Sequence, residues 1–439
     1  MFVLFMKIWF VFKTLLIIGY EWLKYCYTNN YNSFIINITH KLSNENLFYG
    51  KMFQAISTSN HFIHSELSDY LLTFTDKVKF DENDIDNETI HDLYRYNQLN
   101  GYQMSNLNIL CPINSGLISL VYLVNLNGKD VIIKIKRKHI EYTLNDAFDK
   151  ISFFIQLTKY IKQINKLHLH KIFDENKKII MEQLDFFNEV NNIQLFNKKF
   201  KNVNYITIPN VYDEYTNHNQ NIIVMDYIKG KTINQLSLSD KEIYSRLFSK
   251  FGMKCILFDG LYHADMHPGN LLFLYEDKTY KLGIIDFGLI GKLTREEQNM
   301  FYMFMTQLLS NKYDECARTI IELMTEVDIN NTNNTNNLNK SEKNTKHCII
   351  QDLMANDCLI NDIKVILKNL IDVHKTIRLE DIIQMNKILN SYNIQLSSFF
   401  YNIQLAISVS ESINKSLCIN KTFIDCLQEE AKHFILDYM

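Results

Sequence analysis

Apolar residues dominate the start of the chain, where residues 2–23 read FVLFMKIWFVFKTLLIIGYEWL. A run of this length can cross a bilayer as a helix. Lys7 and Lys13 interrupt it, and a lysine near the centre of a spanning helix costs about 2.5–3.5 kcal/mol. Both lysines can reach the interface, or the segment can lie along it. We therefore expect residues 1–25 to be membrane-associated, with an ordinary N-terminal core helix as the alternative.

Helical and strand patterns follow. Residues 42–98 and 141–200 place apolar side chains three and four positions apart without proline, which is typical of helices. Between them, residues 116–126 and 129–137 flank the dipeptide Asn127-Gly128. This dipeptide strongly favours a tight turn between antiparallel strands. The pattern therefore predicts a β-hairpin bracketed by helices.

The second half of the chain carries shorter patterned segments. Residues 221–230 and 280–288 read as buried strands, and residues 240–262 read as a helix. The run INNTNNTNNLNKSEKN at 329–344 is polar and has no apolar period, which predicts a flexible loop. A helical tail occupies residues 349–439. These patterns together predict an α+β protein.

Composition narrows the functional classes. Hydrophobic residues make up 47% of the chain, enough for a large core, and the formal net charge of -3 argues against nucleic-acid binding. The eight cysteines form no CxxC pair, so we interpret them as reduced thiols. Seven of the twelve glycines lie between positions 230 and 291. Unusual backbone, and with it special chemistry, is expected in that stretch.

Two motifs in that stretch suggest phosphoryl transfer. The first is His263-Ala-Asp265-Met-His267-Pro-Gly-Asn270, and the second is Asp286-Phe-Gly at the end of a predicted strand. Phosphoryl transfer needs a carboxylate near the acceptor, an amide oxygen on the metal, and a second carboxylate that bridges metal and phosphates. Asp265, Asn270 and Asp286 supply these three groups in the order that kinases use. The HxDxH spacing could instead bind a metal through imidazoles, but that interpretation leaves Asn270 and Asp286 unexplained.

Two upstream residues complete the pattern. Lys134 ends the strand segment VIIK, and Glu189 lies on a following predicted helix. Taken alone, Lys134 would be a solvated strand lysine and Glu189 a surface helix residue. Lysine strand, glutamate helix, apolar strand, Asp…Asn loop and DFG in this order are the arrangement of a kinase.

These motifs resemble those of the UbiB, or aarF-domain, atypical kinase-like proteins linked to ubiquinone biosynthesis. HADMHPGN is similar to the family signature HADPHPGN, with Met266 replacing proline and His267 where typical kinases carry a lysine. Further resemblance covers about residues 45–430. It includes the family's KxGQ helix at 51–78, its alanine-rich loop and lysine strand at 112–137, its ExD motif at 183–192, its hinge at 224–233 and its C-terminal helices at 396–419.

The resemblance implies a two-lobed protein-kinase-like fold with an N-terminal helical extension and a helical C-terminal tail. The implied parts are a hydrophobic segment at 1–25, an extension at 42–98, an N-lobe at 99–228, a C-lobe at 229–328, an Asn-rich loop at 329–346 and the rest of the C-lobe at 347–439.

By the same resemblance, the site residues and cofactors can be assigned, with ATP and Mg²⁺ as the expected ligands. The implied roles are catalysis for Asp265, Lys134, Glu189 and His267, nucleotide binding for Ser115, Gly116, Lys134, Met225 and Tyr227, metal binding for Asn270 and Asp286, and the family motifs for Lys51, Gln54, Gln183 and Asp185.

Several family positions differ in this chain. Phe53 replaces the KxGQ glycine, Gln183 replaces the ExD glutamate next to Glu182, and the alanine-rich loop has become Asn-Ser115-Gly116-Leu. The ATP and metal groups are intact, while the features that restrain protein-kinase activity in the family are altered.

The expected function is an ATP- and Mg²⁺-dependent atypical kinase or ATPase at a membrane, acting on a quinone-like or lipid small molecule, with lipid-pathway proteins as partners. The sequence leaves the organelle open, and family analogy allows mitochondria as one placement. A nucleotide-binding pseudokinase scaffold and a conventional small-molecule or protein kinase remain alternatives.

Overall fold

The computed structural model describes residues 2–46, 48–49, 78, 80–158, 169–323, 325–327, 341–374, 379–417, 425 and 429–430. The chain divides into two compact units. The first comprises residues 1–195 and 209–227, and the second comprises residues 196–208 and 228–439.

The α-helices of the described residues are numbered in chain order. They are α1 Phe2–Thr28, α2 Tyr31–Ser43, α3 Asn87–Leu99, α4 Ile140–Thr158, α5 Leu169–Gln183, α6 Phe186–Phe200, α7 Asp213–His218, α8 Leu238–Met253, α9 Arg295–Leu309, α10 Tyr313–Leu323, α11 Ser341–Met354, α12 Asp357–Lys368, α13 Leu379–Ser391 and α14 Ser398–Leu417.

The strands of the described residues are numbered likewise. They are β1 Met104–Ser105, β2 Asn114–Ser115, β3 Ser119–Leu126, β4 Lys129–Lys136, β5 Ile206–Thr207, β6 Ile222–Asp226, β7 Leu261–His263, β8 Leu271–Glu276, β9 Thr279–Ile284, β10 Ile290–Lys292, β11 Thr325–Val327 and β12 Ile394–Leu396.

The first unit is built on an antiparallel sheet in the order β1-β3-β4-β6, with β2 also paired to β3. The predicted hairpin is confirmed as β3 and β4, and Asn127 and Gly128 both take positive φ at its turn. Alternate residues of β3 are buried, as expected for a strand with one face on the core. Tyr122 and Val124 of β3 pack in that core with Leu93 of α3.

The prediction of a membrane-associated N-terminal segment is wrong. Among the described residues, no helix combines the length and the apolarity needed to span a bilayer. Helix α1 instead packs on α2 and α4, with Phe10 and Ile17 against their buried apolar residues. The charged residues that interrupt its apolar run form ion pairs within the unit. Lys7, for example, lies 3.1 Å from Asp149.

A buried charge on α1 makes the same point. Glu21 is 2% exposed, and its carboxylate accepts hydrogen bonds from Lys41 at 2.6 Å and Asn37 at 2.9 Å on α2. Burial raises the pKa of Glu21, but these two hydrogen bonds and the positive charges of Lys41 and Lys24 together leave the pKa below its ordinary value. The core-helix alternative therefore describes α1 correctly.

The second unit combines a three-stranded sheet, in the order β5-β9-β8, with two small pairs, β7 with β10 and β11 with β12. Its main core joins residues of α9, α10, α12 and α14, among them Phe304, Ile320, Ile363 and Ile403. The predicted α+β class is thus confirmed, while the proposed domain boundaries stay predictions. Helix α11 begins at Ser341, inside the predicted Asn-rich loop.

Candidate nucleotide and metal site

Lys134 lies in the middle of the first unit's sheet. It belongs to β4, opposite Val121 of β3 and Ile223 of β6. The residue is 6% exposed, and its Nζ donates to Glu189 Oε1 at 2.6 Å. The solvated-lysine interpretation is therefore wrong, because this lysine is desolvated and paired.

Glu189 reaches Lys134 because of how α6 begins. Asp185 precedes the helix, and its carboxylate accepts the N–H of Asn188 at 3.2 Å, which satisfies a donor of the first turn. Glu189 follows in that turn and is 4% exposed. Gln183 is the last residue of α5, two positions before Asp185. The altered ExD segment therefore forms the junction that orients the glutamate helix.

The predicted phosphate loop is a tight turn between β2 and β3. Gly116 donates its N–H to Ser119 O at 2.9 Å, and Ser115 is buried. A Cβ on Gly116 would lie 3.6 Å from Ser119 O, an ordinary contact, so space does not demand glycine there. The chain thus carries Gly116 at a position where alanine would also fit.

The predicted hinge residues lie on and just after β6, the last strand of the same sheet. Met225 of β6 is buried, pairs with Ile132 and forms a bridge with Val211. Tyr227 follows the strand, donates its N–H to Asp130 O at 3.4 Å and is 37% exposed.

In the second unit, the HADMHPGN segment forms a loop between β7 and β8. Asn270 ends a short 3₁₀ turn, Pro268–Asn270, and its side-chain amide donates to Asp265 O at 2.9 Å. Ile285 donates its N–H to Asn270 O at 3.2 Å, which ties the loop to the residue before Asp286. Asp265, Asn270 and Asp286 therefore belong to one hydrogen-bonded loop system.

His263 joins the two carboxylate segments directly. Its Nδ1 accepts the N–H of Asp265 at 3.2 Å, so its Nε2 carries the proton and donates to Asp286 O at 2.7 Å. Burial lowers the pKa of His263, which favours this neutral form. Sequence reasoning missed this role. The only signal for it was the placement of a histidine two residues before Asp265.

Aromatic rings support the Asp-Phe-Gly turn. Phe287 is fully buried and lies 5.0 Å from the Phe196 ring and 6.1 Å from the His263 ring. Gly288 donates its N–H to Asp286 Oδ1 at 3.0 Å. The backbone of Asp286 is therefore fixed from both sides by core packing and by the turn.

His267 has a local role in the structure. Its Nδ1 accepts the N–H of Gly269 at 3.2 Å, which caps the turn that carries Asn270. Its assignment as a catalytic residue stays a prediction. Lys51 and Gln54, the KxGQ residues, lie outside the described residues.

A family model and several known proteins are similar to this chain. The family model of the ABC1 atypical kinase-like domain matches residues 111–320. The chain is similar to the Arabidopsis thaliana protein named Activity of BC1 complex kinase 8, chloroplastic, with 27% identity over 195 residues, 42% of this chain and 25% of that relative. It is also similar to the probable protein kinase UbiB of Aeromonas hydrophila, with 25% identity over 220 residues, 48% of this chain and 40% of that relative.

The aligned part of the chain spans less than half the length of these two relatives. Among solved structures, the complex of Rv3197 with erythromycin from Mycobacterium tuberculosis aligns with 89% of this chain and 94% of its own, at 16% identity and a TM-score of 0.46. The resemblance to the UbiB and aarF-domain proteins and the kinase-like fold are confirmed. The relatives are bacterial or named chloroplastic, so the mitochondrial placement is not supported.

Proposed function

Because residues 111–320 match the family model of the ABC1 atypical kinase-like domain and resemble UbiB and aarF-domain proteins, we propose that this chain binds ATP with Mg²⁺ and transfers or hydrolyses the terminal phosphate. The observation that carries the proposal is the buried contact of 2.6 Å between Lys134 and Glu189. A lysine held in this way by a helix glutamate is the cation that kinases present to the α- and β-phosphates.

The metal-binding residues fit a magnesium ion chemically. Mg²⁺ prefers oxygen ligands and is held by one or two carboxylates together with substrate phosphates. Asp286 offers a carboxylate, and Asn270 offers an amide oxygen on a side chain whose nitrogen is already bonded to Asp265 O. Bound Mg²⁺ would offset the charge of the β- and γ-phosphates.

The remaining roles belong to protein side chains. Asp265 would orient the acceptor hydroxyl, or a water, and accept its proton. The neutral His263 bonds the backbone of both Asp265 and Asp286, which would limit the backbone reorganisation of these two residues when substrate arrives. Lys134, oriented by Glu189, would align the phosphates.

For the acceptor we propose a quinone-like or lipid small molecule that carries a free hydroxyl group. The support for this is the family resemblance, and lipid-pathway proteins as partners rest on the same ground. A nucleotide-binding scaffold without turnover is the alternative that the test below separates.

The test is Mg²⁺-dependent ATP hydrolysis by the purified chain, with and without added alkylated quinone or phospholipid. We expect Asp265→Asn to lower kcat by about 10²-fold or more, as loss of a general base does, with nucleotide binding retained. Asp277→Asn is the matched control, because Asp277 lies in the exposed β8–β9 turn at positive φ, which asparagine tolerates.

Three outcomes decide the assignment. A wild-type chain that binds Mg²⁺–ATP without turnover would favour the scaffold. Turnover that survives Asp265→Asn would remove Asp265 from the proposed role. Autophosphorylation detected by intact mass would indicate a conventional kinase.

A further inference from the structure

One arginine connects three segments around the predicted phosphate turn. Arg137 follows β4 directly and is 3% exposed. Its Nε donates to Gly116 O at 2.9 Å, its Nη2 donates to Ser115 Oγ at 2.7 Å, and its Nη1 lies 2.6 Å from Asp84 Oδ2. Its backbone N–H donates to Ile118 O at 2.8 Å. The buried guanidinium therefore holds one short turn and ties it to Asp84.

The other side of the turn is held by Val78. The N–H of Val78 donates to Ser115 O at 2.8 Å, and Ser115 Oγ donates to Val78 O at 2.7 Å. Leu117 and Ile118, at the tip, are buried in the apolar cluster around Phe148 of α4. The turn is thus fixed by a guanidinium, by a backbone pair and by core packing.

This arrangement has an electrostatic consequence for a phosphate ligand. A carbonyl oxygen repels phosphate oxygens, whereas N–H groups attract them. Arg137 donates to the carbonyl of Gly116, so the guanidinium charge offsets the negative potential of that oxygen and the bond fixes the orientation of the peptide group. Asp84 partly balances the guanidinium charge. A turn whose peptide groups are already oriented loses less conformational entropy when it binds a ligand.

We propose that Arg137 is a positioning residue for the nucleotide, acting through the Ser115–Gly116 turn. It does not touch the reacting atoms. Arg137 couples the turn to Asp84 and to Val78. These two residues precede the sheet in the chain and thereby help to set the geometry of the turn. This inference rests on the proposed nucleotide-binding function and gives a role to Arg137, the last residue of the lysine-strand segment, to which the sequence motifs assign none.

The test compares Arg137→Lys and Arg137→Met with the wild-type chain. Lysine keeps the charge near Asp84 but cannot bond Gly116 O, Ser115 Oγ and Asp84 together, because it lacks the planar fork. We expect the Kd for a fluorescent ATP analogue with Mg²⁺ to rise about tenfold in Arg137→Lys and further in Arg137→Met, with kcat changed less than about twofold. A merely structural arginine would not separate binding from kcat in this way.

A second measurement does not depend on nucleotide. Amide hydrogen exchange of a peptide covering residues 113–119 should be faster in both variants, since the Gly116 N–H bond to Ser119 O opens more often. Arg95→Met is the control, because Arg95 is an exposed arginine paired with Asp92 on α3. Asp84→Asn supplies a milder variant that weakens the guanidinium's ion pair if Arg137→Met fails to fold.

The outcomes separate this inference from the proposed function. If the wild-type chain binds nucleotide but Arg137→Lys has an unchanged Kd, or if exchange of the 113–119 amides is unchanged, the inference is overturned. A wild-type chain that binds no nucleotide overturns the proposed function instead, and the exchange measurement then still decides whether Arg137 holds the turn.

Discussion

Lys134 and Glu189 are 55 residues apart in the chain, yet Nζ and Oε1 lie 2.6 Å apart in the core of the first unit. Both side chains are nearly inaccessible to water. Removing only one partner of a buried ion pair is costly, because the charge of the other partner stays buried and loses its compensating charge. Structure and function can therefore be separated experimentally by comparing single and double substitutions.

Lys134→Met should lower the free energy of unfolding by about 3–5 kcal/mol, since the buried Glu189 carboxylate then loses the ammonium group that lies 2.6 Å from it. The double variant Lys134→Met, Glu189→Leu should recover most of that loss, because both charges are gone. Nucleotide affinity should stay low in both variants, since neither offers a cation to the phosphates. Urea unfolding and titration with an ATP analogue measure the two quantities.

A double variant that binds nucleotide as tightly as wild type would remove Lys134 from the proposed site. The exposed pair Lys312 and Glu315, on the second unit, serves as the control. Lys312→Met should change the free energy of unfolding by less than about 1 kcal/mol.

Asp286→Asn tests the proposed metal site. Asparagine keeps an oxygen that can accept the Gly288 N–H but loses the negative charge. We expect the unliganded melting temperature to change little, while the Mg²⁺-dependent stabilisation by ATP disappears. For the wild type, that stabilisation is about 2.7 kcal/mol at a ligand concentration of 100 Kd. Thermal shift with ATP, with and without Mg²⁺, gives the answer, and a variant that is stabilised like wild type would exclude Asp286 as a ligand.

Much of the first unit's sheet was predictable because its signals are local. Asn127-Gly128 fixes the β3–β4 turn, and the apolar run on β4 gives a strand buried on both faces. The position of Lys134 inside that run was the useful anomaly, since a lysine in a buried strand needs a partner.

Long-range partners were not predictable from the sequence. Arg137 follows a strand that ends in a lysine, so its sequence position suggests one more solvated cation. Its partners in the structure include the Gly116 carbonyl, the Ser115 hydroxyl and the Asp84 carboxylate. His263 likewise bonds backbone atoms, which leave no trace in residue identity. The N-terminal run failed as a membrane signal because its charged residues are paired with residues that the run itself does not contain.

A similar limit explains one secondary-structure error. Residues 240–262 were predicted as one helix, whereas α8 ends at Met253, a π-helical turn covers Lys254–Asp259, and β7 starts at Leu261. Gly260 takes φ of +65°, a left-handed conformation that ends the helix. The glycine was visible in the sequence, but the strand after it depends on pairing with β10.

Stability should fall in mild acid because of His263. Burial lowers its pKa in the folded chain, while in the unfolded chain it is near 6.5. Below pH 6.5 His263 therefore binds a proton in the unfolded state but not in the folded state. The stabilisation is full above pH 6.5 and is lost as the pH falls from there toward the folded pKa, by up to about 1.4 kcal/mol per pH unit.

His263→Gln should flatten this dependence between pH 6.5 and 5, since glutamine can donate and accept hydrogen bonds without titrating. Urea unfolding at several pH values measures the slope. His91→Gln, at an exposed position on α3, is the control and should leave the slope unchanged. An unchanged slope in His263→Gln would mean that other groups cause the acid sensitivity.

Gly291 is needed because of the ring opposite it. It pairs with Tyr262 across β7 and β10, and a Cβ on Gly291 would collide with the Tyr262 ring. The ring is 8% exposed and packs in the second unit's core, so it cannot easily move aside. Gly291→Ala should therefore cost about 1–3 kcal/mol in the free energy of unfolding, as overpacking does. Adding Tyr262→Leu should make the double variant less destabilised than the sum of the singles. Gly252→Ala is the control, because a Cβ there meets no atom within 4 Å and alanine favours the helix by up to about 1 kcal/mol. If Gly291→Ala were as stable as the wild type, the Tyr262 ring would have enough space to move away from the added methyl group.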